Sequence, residues 1–476
     1  MATEEVKKVV VKKVKQPPRP EDLALDVASQ QMIVRSREME VETIFDRAQT
    51  MKPCPIGAEG TCCKNCGQGP CRLPLPKRGI EGKDTRKGLC GATAQTIAAR
   101  NFARMVAGGA AAHSDHGRAV AETFLAAARK ETEDYHIKDT KKLLEIAPDY
   151  GVDITVEGEN GEILDRDIDE IAVEVGENAL AQWGQQSGEV CTIKRAPKAR
   201  YELWKKLGVA PRGIDREIVE IMHRTHIGVD QHYENLTQQF SRAAIADGWG
   251  GSMIATDLQD VLFGCPYPVK STANLGVLKE DHVNIVIHGH EPLLSEMIVQ
   301  VAELPEMIEL AKQKGAKGIQ LSGICCTANE LLMRHGIPLC GDFLQQELAI
   351  ITGAVDAMVV DVQCIMEAIA NVAQCFHTKI ITTSPRARIE SGDTIHIEFD
   401  EHTAFEDAKK IVRTGIENFP KREKEVMIPD VKQELVAGFS YEAIEYHLGG
   451  TFRGSYSTLN DNIINGRIRG IAGVVG

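Results

Sequence analysis

Six cysteines lie close together near the start of the chain, and they constrain its fold more than any other feature. They are Cys54, Cys62, Cys63, Cys66, Cys71 and Cys90. Glycines and prolines lie between several of them, so the backbone there is suited to wrap around a compact group. Thiolates at such short, irregular spacing are typical of a [4Fe–4S] cubane, whose four corners each need a ligand. The run therefore predicts iron–sulfur chemistry.

The number of cysteines in this run exceeds what one cluster requires. The four that we assign to one complete cluster are Cys63, Cys66, Cys71 and Cys90. Cys54 and Cys62 are then left over, and two ligands make a cluster only if a second chain supplies two more. This predicts a symmetric homodimer with a shared cluster on its two-fold axis. A structural zinc site with two spare thiols is the alternative, although six cysteines exceed one closed tetrahedral site.

The composition excludes several classes of protein. The chain has 476 residues, 13 cysteines and a formal net charge of −13, and so acidic a protein lacks the positive field that nucleic-acid binding requires. No apolar stretch approaches the roughly 18–20 residues that span a bilayer. The first 20 residues contain no hydrophobic region of the kind found in secretory signals. Because cytosolic cysteines stay reduced, we expect a cytoplasmic, anaerobic metalloprotein.

The sequence pattern changes along the chain and predicts four regions. Residues 1–20 form a basic N-terminal arm that ends in a Pro-rich linker. Apolar residues at three- and four-residue spacing predict a helical Fe–S cluster domain over residues 21–256. Over residues 257–437, short apolar strands such as VNIVIHG, GIQLSGI and AVDAMVVDVQC alternate with helices, which predicts a doubly wound, Rossmann-like parallel α/β domain. Residues 438–476 read as the start of a second α/β domain, in which a helix runs into a strand.

Residue types that bind metals follow four of the predicted strands. They are His288 and His290, Cys325 and Cys326, Cys340, and Cys364. The carboxyl ends of parallel strands meet at one edge of the sheet, where open α/β sheets bind ligands. Neighbouring residues point in different directions, so we expect only one of Cys325 and Cys326 to reach a shared metal.

The remaining cysteines and several histidines have simpler interpretations. A lone cysteine most often fills apolar space, and we assign that role to Cys191, Cys265 and Cys375. Cys340 fits either role. The histidines expected to cap helices or to form hydrogen bonds within the helical region are His223, His226 and His232.

As a set, these motifs closely resemble the catalytic subunit of anaerobic, nickel-containing carbon monoxide dehydrogenases. The resemblance runs from about Val41 to Gly476, and its most specific pieces are CPIGAEGTCCKNCGQGPCR, AAHSDHG, IHGHEPLLSEMIVQ, LSGICCTANELLMRHGIPL and DAMVVDVQCIM. It implies the oxidation of CO with water to CO₂, two protons and two electrons. The electrons would pass through [4Fe–4S] clusters to a ferredoxin-type acceptor. A homodimer and an acetyl-CoA synthase subunit are the protein partners that it suggests.

The resemblance also implies a role for each candidate residue. The four-cysteine group would hold a relay [4Fe–4S] cluster, and the remaining pair half of the cluster shared between subunits. His290 and Cys326 would bind the unique iron of a Ni–Fe–S active cluster, and Cys364 one corner of its cubane. His113 would be the acid/base residue beside the nickel, and His116 would begin a proton-exit path.

The sequence departs from the family pattern in three places, the first of which is a long linker between Cys71 and Cys90 that is rich in Lys and Arg. Ala119, Val120 and Glu122 stand where the family's proton path tends to continue with histidines, so the path here is expected to be shorter or to use Glu122 and water. The sequence also stops at Gly476, before further cubane, nickel and catalytic-lysine positions of the family. We therefore interpret the chain as a C-terminally truncated fragment with an incomplete active-cluster ligand set, whose activity alone is in question.

Two other functions agree with parts of the pattern. A hybrid-cluster redox enzyme of the hydroxylamine-reductase kind would lack nickel and the Cys54/Cys62 pair. A non-catalytic Fe–S electron-transfer protein would keep the relay and shared clusters without CO turnover, and it applies if the chain truly ends at Gly476.

Overall fold

The computed structural model describes residues 17–74, 85–158, 160, 162–390 and 392–473. Most of the basic arm that the sequence predicts over residues 1–20 therefore lies outside the described residues. No described helix is both long enough and apolar enough to cross a bilayer.

The first half of the chain is mainly helical, as its apolar spacing predicts. Its helices are α1 (Pro20–Leu23), α2 (Val27–Glu38), α3 (Ile44–Thr50), α4 (Pro55–Ala58), α5 (Ala94–Ala128), α6 (Thr140–Ile146), α7 (Ile168–Gly184), α8 (Lys198–Leu207), α9 (Ile214–Arg224), α10 (Tyr233–Ala246) and α11 (Ser252–Phe263). The 35-residue α5 lies at the centre, and α7, α9, α10 and α11 pack against it. Its small residues allow this close packing, so one rigid helix organises the region.

Two short antiparallel pairs of strands interrupt the helices. β1 (Cys62–Cys63) pairs with β2 (Cys71–Arg72), and this pairing sets Cys63 opposite Cys71. β3 (Thr155–Glu157) pairs with β4 (Ile163–Asp165) in an exposed hairpin. Neither pair was predicted, because two or three residues are too few to show the alternation of a strand.

A mostly parallel sheet of eight strands forms the second half of the described chain. Its strands are β5 (Val269–Ala273), β6 (Val283–Gly289), β7 (Ile319–Ile324), β8 (Leu339–Gly341), β9 (Val355–Val360), β10 (Lys379–Thr382), β11 (Ile395–His396) and β12 (Gln433–Ala437). Their order is β11-β10-β9-β6-β7-β8-β5-β12, and only β12 runs antiparallel to its neighbour. The predicted mixture of helices with a parallel sheet is confirmed, whereas the edge strands β11 and β12 and the strand β5 beside β12 were not predicted.

Helices cover both faces of this sheet. They are α12 (Leu293–Ala302), α13 (Pro305–Gln313), α14 (Cys325–His335), α15 (Gln346–Ile351), α16 (Ala368–Ala373) and α17 (Ala404–Asn418), followed by α18 (Tyr441–Leu448) and α19 (Ser457–Ile464). Along β6, Ile285 and Ile287 join the core that contains α12 and α17, while Val286 joins the core that contains α2 and α15. The central strands are buried on both faces, which explains their continuous apolar sequences.

The predicted division into domains does not coincide with the helix boundaries. α11 continues through residue 256, where the helical domain was expected to end. α2 packs against α15 beside the sheet, although it precedes the cysteine run. The division itself stays a prediction. Near the end of the chain, residues 465–473 form no strand, and the Arg467 and Ile468 amides donate to the Asn462 carbonyl oxygen. The rest of the expected strand, residues 474–476, lies outside the described residues.

Candidate cluster pocket and active site

One cavity of about 310 Å³ brings together four of the six clustered cysteines. They are Cys63, Cys66, Cys71 and Cys90. Cys54 and Cys62 do not line this cavity. Cys54 is exposed at the start of α4, and Cys62 is half-buried beside Cys63. The structure therefore separates the same two groups of cysteines that the ligand count separated.

The backbone approaches this pocket closely. A side chain at Gly69 would place its Cβ 2.9 Å from the carbonyl oxygen of Cys63, so this position needs glycine. The Leu89 amide donates a hydrogen bond to the Cys71 Sγ at 3.4 Å. Hydrogen bonds of this kind orient thiolate ligands and tune the groups that they hold.

Charge in the same pocket favours thiolates. Burial raises the pKa of the Cys90 thiol, but hydrogen bonds from the Ala92 amide and the Arg100 guanidinium outweigh it, and the net pKa is lowered. A thiolate is the form that binds iron. Soft donors, amide donors and a buried cation around one cavity fit a [4Fe–4S] cluster.

The carboxyl ends of β6, β7 and β9 bring a second set of donors together. His290 follows β6, Cys325 and Cys326 begin α14 directly after β7, and Cys364 follows β9. His290 is 5% exposed, and neither of its ring nitrogens has a hydrogen-bond partner among the residues that the structure describes. An unsatisfied buried imidazole is costly unless something binds it, and a metal ion would do so.

His288, two residues earlier, differs from His290. Its Nε2 lies 3.1 Å from the Gln346 Oε1, within the core. Cys340 is also fully buried among apolar residues of the core that lies beside α15 and α16. The structure thus places His290 at the strand edge and gives His288 and Cys340 structural surroundings.

The three thiols at this edge are neighbours. Burial and the nearby Cys364 and Cys326 raise the pKa of Cys325 to about 12. Burial and Cys364 likewise raise the pKa of Cys326. Cys325 and Cys364 both have left-handed backbone conformations, with φ of 63° and 53°. Such strain in ordinary residues is concentrated at functional sites. Both thiols of the adjacent pair lie near Cys364, and the expectation that only one of them reaches a shared metal stays a prediction.

The residue types at this edge are suited to bind iron or nickel, although the described residues do not form a preformed site for a single ion. Within the described ranges, no three His, Cys, Asp or Glu side chains lie close enough to hold one metal ion. Thiolates and a free imidazole are nevertheless the ligand types of iron and nickel in sulfur-rich sites.

Asp361 ties the loops at this edge together. Its carboxylate accepts hydrogen bonds from the His290 amide at 2.6 Å and the Glu291 amide at 3.2 Å, and from the Thr327 hydroxyl at 2.9 Å; the Val362 amide also donates to it. Burial raises the pKa of Asp361 to about 8, although the amide donors lower it. One carboxylate therefore connects the loop of His290, the first turn of α14 and the segment that leads to Cys364.

Two histidines of α5 pack against His290. The rings of His113 and His290 are stacked with centroids 5.1 Å apart, and His116 meets His290 edge-on at 4.8 Å. The three-residue spacing on a helix, inferred from AAHSDHG, puts both rings on this face of α5. Burial, His290 and His113 lower the pKa of His116 to about 3, so its ring is neutral.

Sequence reasoning missed the partners of these histidines. Asp247 lies 2.7 Å from the His113 Nδ1, and this hydrogen bond raises the pKa of His113. Asp247 begins a π-helical turn between α10 and α11, a feature frequent at functional sites. Gly117 allows this turn to approach α5 closely, because a Cβ added at Gly117 would lie 2.6 Å from the Gly251 carbonyl oxygen. The glycines in DGWGG were the available signal.

Glu122 is the residue that the sequence offers for continuing the proton path beyond the two histidines. It is about half exposed and forms an ion pair with Arg118 at 3.4 Å. It lines a cavity of about 160 Å³ together with Glu291 and Arg386. The route from His116 to Glu122 stays a prediction.

A four-cysteine pocket in a helical region, next to a parallel sheet with histidine and thiols at its strand ends, defines a redox metalloprotein. The family model described as the Prismane/CO dehydrogenase family matches residues 61–476. The chain belongs to this family, and the resemblance drawn from its motifs is confirmed.

Three similar proteins agree with this membership. Carbon monoxide dehydrogenase 1 of Methanosarcina mazei is 52% identical over 455 residues, covering 95% of this chain and 69% of that protein. A Ni-free crystal structure of carbon monoxide dehydrogenase from Thermococcus sp. AM4 has a TM-score of 0.88 at 46% identity, covering 96% of this chain and 70% of that one. A structure of acetyl-CoA synthase/carbon monoxide dehydrogenase, with NiZn[Fe4S4] and NiNi[Fe4S4] clusters in its alpha subunits, has a TM-score of 0.87 at 43% identity, covering 97% and 67%.

Proposed function

We propose that this protein is an anaerobic carbon monoxide dehydrogenase. The observation that carries the proposal is the stacking of His113, held by Asp247, on the unpartnered imidazole of His290 at the edge that also carries three thiols. The close relatives and solved structures named carbon monoxide dehydrogenase support it.

The three groups of donors would hold different clusters. The four-cysteine pocket would bind a relay [4Fe–4S] cluster, and Cys54 and Cys62 would each supply a ligand to a cluster shared with a second subunit. His290, Cys326 and Cys364 would be ligands of a Ni–Fe–S active cluster. When bound, that cluster supplies the metal sites at which CO binds and water is acidified.

The residues around the active cluster would hold and move the proton. The Asp247 carboxylate accepts from Nδ1 of His113, which leaves Nε2 of the neutral ring free to accept a proton. His113 would act as the acid/base residue. His116, on the same face of α5, would begin proton exit. Its Nε2 lies 2.6 Å from the amide nitrogen of Gln259, which fixes the orientation of the ring.

Nickel-dependent CO oxidation tests this proposal directly. A full-length version of the protein would be purified anaerobically, reconstituted with iron, sulfide and nickel, and mixed with a viologen dye under CO. We expect dye reduction that depends on both CO and nickel. Tight iron binding without nickel and without CO turnover would favour the hybrid-cluster alternative, and cubanes without turnover would favour an electron-transfer protein.

Removing one thiol of the pocket should remove the relay cluster. We expect Cys71→Ser to lower the iron content by that of one cubane, because a serine hydroxyl is a poorer ligand and the Leu89 amide loses its sulfur acceptor. Iron and sulfide analysis would measure this. Cys375→Ser changes an exposed cysteine far from the pocket lining and should retain the iron content of the unchanged protein. Equal iron content in the unchanged protein and in both variants would contradict the assignment of Cys71 as a ligand of the relay cluster.

The protein partners that we propose are a second copy of this chain, a ferredoxin-type acceptor and an acetyl-CoA synthase subunit. The structure that pairs the two enzymes supports the last of these. Because a shared cluster takes two ligands from each chain, Cys54→Ser should lower the iron content by half a cubane per chain and leave the relay cluster intact. Analytical ultracentrifugation with iron analysis would measure both. A monomer with full iron content would exclude the shared cluster.

A further inference from the structure

Arg100 is a buried cation to which no described residue supplies a carboxylate partner. The residue is 1% exposed and lies on α5. Its Nε and Nη2 donate hydrogen bonds to the Asp230 carbonyl oxygen at 3.2 and 2.6 Å. Within the described residues, no Asp or Glu side chain forms an ion pair with its guanidinium. A buried charge without a counter-charge is strongly unfavourable.

The remaining nitrogen of Arg100 faces the four-cysteine pocket. Its Nη1 lies 3.8 Å from the Cys90 Sγ, and Arg100 lines the same cavity as the four thiols. A cubane held by four thiolates carries a net negative charge. Such an anion in this cavity would supply the missing counter-charge.

The surroundings of Arg100 fix the cation in place. The segment containing Gly228 and Asp230 packs over Cys90, and a Cβ at Gly228 would lie 3.4 Å from the Cys90 Sγ. The Thr96 hydroxyl on α5 donates to the Gln231 carbonyl oxygen at 3.1 Å, which joins this segment to the helix that carries Arg100. The guanidinium therefore cannot turn towards solvent.

We propose that Arg100 is the counter-cation of the relay cluster and raises its reduction potential. The proposal rests on the proposed function only in assuming a [4Fe–4S] cluster in this pocket. Reduction adds one electron to the cluster and breaks no bond, so it increases the negative charge next to the guanidinium. A fixed cation stabilises the reduced form more than the oxidised form.

Redox titration of the chain, followed by electron paramagnetic resonance of the reduced cubane, tests this proposal. We expect Arg100→Gln to lower the reduced-to-oxidised ratio at a fixed solution potential by about tenfold or more, which for one electron is a shift of about 59 mV or more to negative potential. Arg100→Lys keeps the charge and should stay near the potential of the unchanged protein. Arg129→Gln removes an exposed cation at the end of the same helix and should shift nothing.

Each outcome separates the two proposals. An unchanged potential in an Arg100→Gln variant with a complete cluster would overturn the role of Arg100 but leave the relay cluster standing. If the Gln variant loses the cluster while the Lys variant keeps it, the requirement for charge is supported. If both lose it, shape rather than charge is required, and the proposal is wrong. The absence of a cubane from the unchanged protein would instead contradict the proposed function.

Discussion

Replacing His113 by asparagine is expected to lower CO-dependent viologen reduction by roughly 10²–10⁴-fold, the usual contribution of a positioned acid/base group. His113 combines an orienting hydrogen bond from Nδ1 to Asp247 with ring contact with His290, and this arrangement leaves its Nε2 to accept the proton. Asparagine is polar but cannot accept a proton at neutral pH. The measurement is the steady-state rate of the nickel-loaded enzyme, with metal content determined for each preparation.

Two further variants test whether the loss of rate in His113→Asn comes from the acid/base role of His113. Asp247→Asn keeps the shape of the side chain but weakens the orientation of the imidazole, so we expect a smaller loss than for His113→Asn at unchanged metal content. His447→Asn alters an exposed histidine on α18 and should leave the rate unchanged. A His113→Asn enzyme with full metal content and less than about a tenfold loss would show that another group moves the proton.

The sequence predicted the strands and the metal-binding residues of the site better than the contacts between them. The central strands could be predicted because they are long and apolar, and the parallel arrangement then placed His290 near the cysteines. The four-cysteine pocket followed from counting ligands, a local property of residues 63–90. The strands β5 and β12 were not predicted, because their burial pattern is irregular and their pairing joins segments about 160 residues apart.

Partners that come from distant parts of the chain could not be predicted in the same way. Asp247 lies 134 residues from His113, and Asp361 lies 71 residues from His290. In the sequence, Arg100 cannot be distinguished from other helix residues, and only the structure shows its hydrogen bond to the segment around Asp230. An Asp or Arg is common everywhere in a charged chain, so only three-dimensional contact distinguishes these three residues. These residues are identified by the buried charges and hydrogen-bonding groups that they satisfy, and not by a sequence motif.

Replacing Gly289 by alanine should disrupt the active-site edge from within. A Cβ at this position would lie 1.8 Å from the Asp361 Oδ1, and the φ of 140° disfavours any side chain. We expect Asp361 to be displaced and its hydrogen bonds to the His290 loop and to Thr327 to weaken. Strain and overpacking together cost about 2–4 kcal/mol, so the midpoint of thermal unfolding of the metal-free protein should fall.

The position of this damage makes the experiment informative about the site. Because Asp361 holds the loop of His290, Gly289→Ala should reduce nickel-dependent activity and iron at the sheet edge while the relay cluster keeps its electron paramagnetic resonance signal. Gly184→Ala provides the matched control, since no atom of the described chain lies within 4 Å of its added Cβ at the end of α7. That variant should unfold at an equal or slightly higher temperature, because alanine favours the helix over glycine. If Gly289→Ala retained the full iron content, activity and unfolding temperature, the Asp361 carboxylate would not be what holds these loops together.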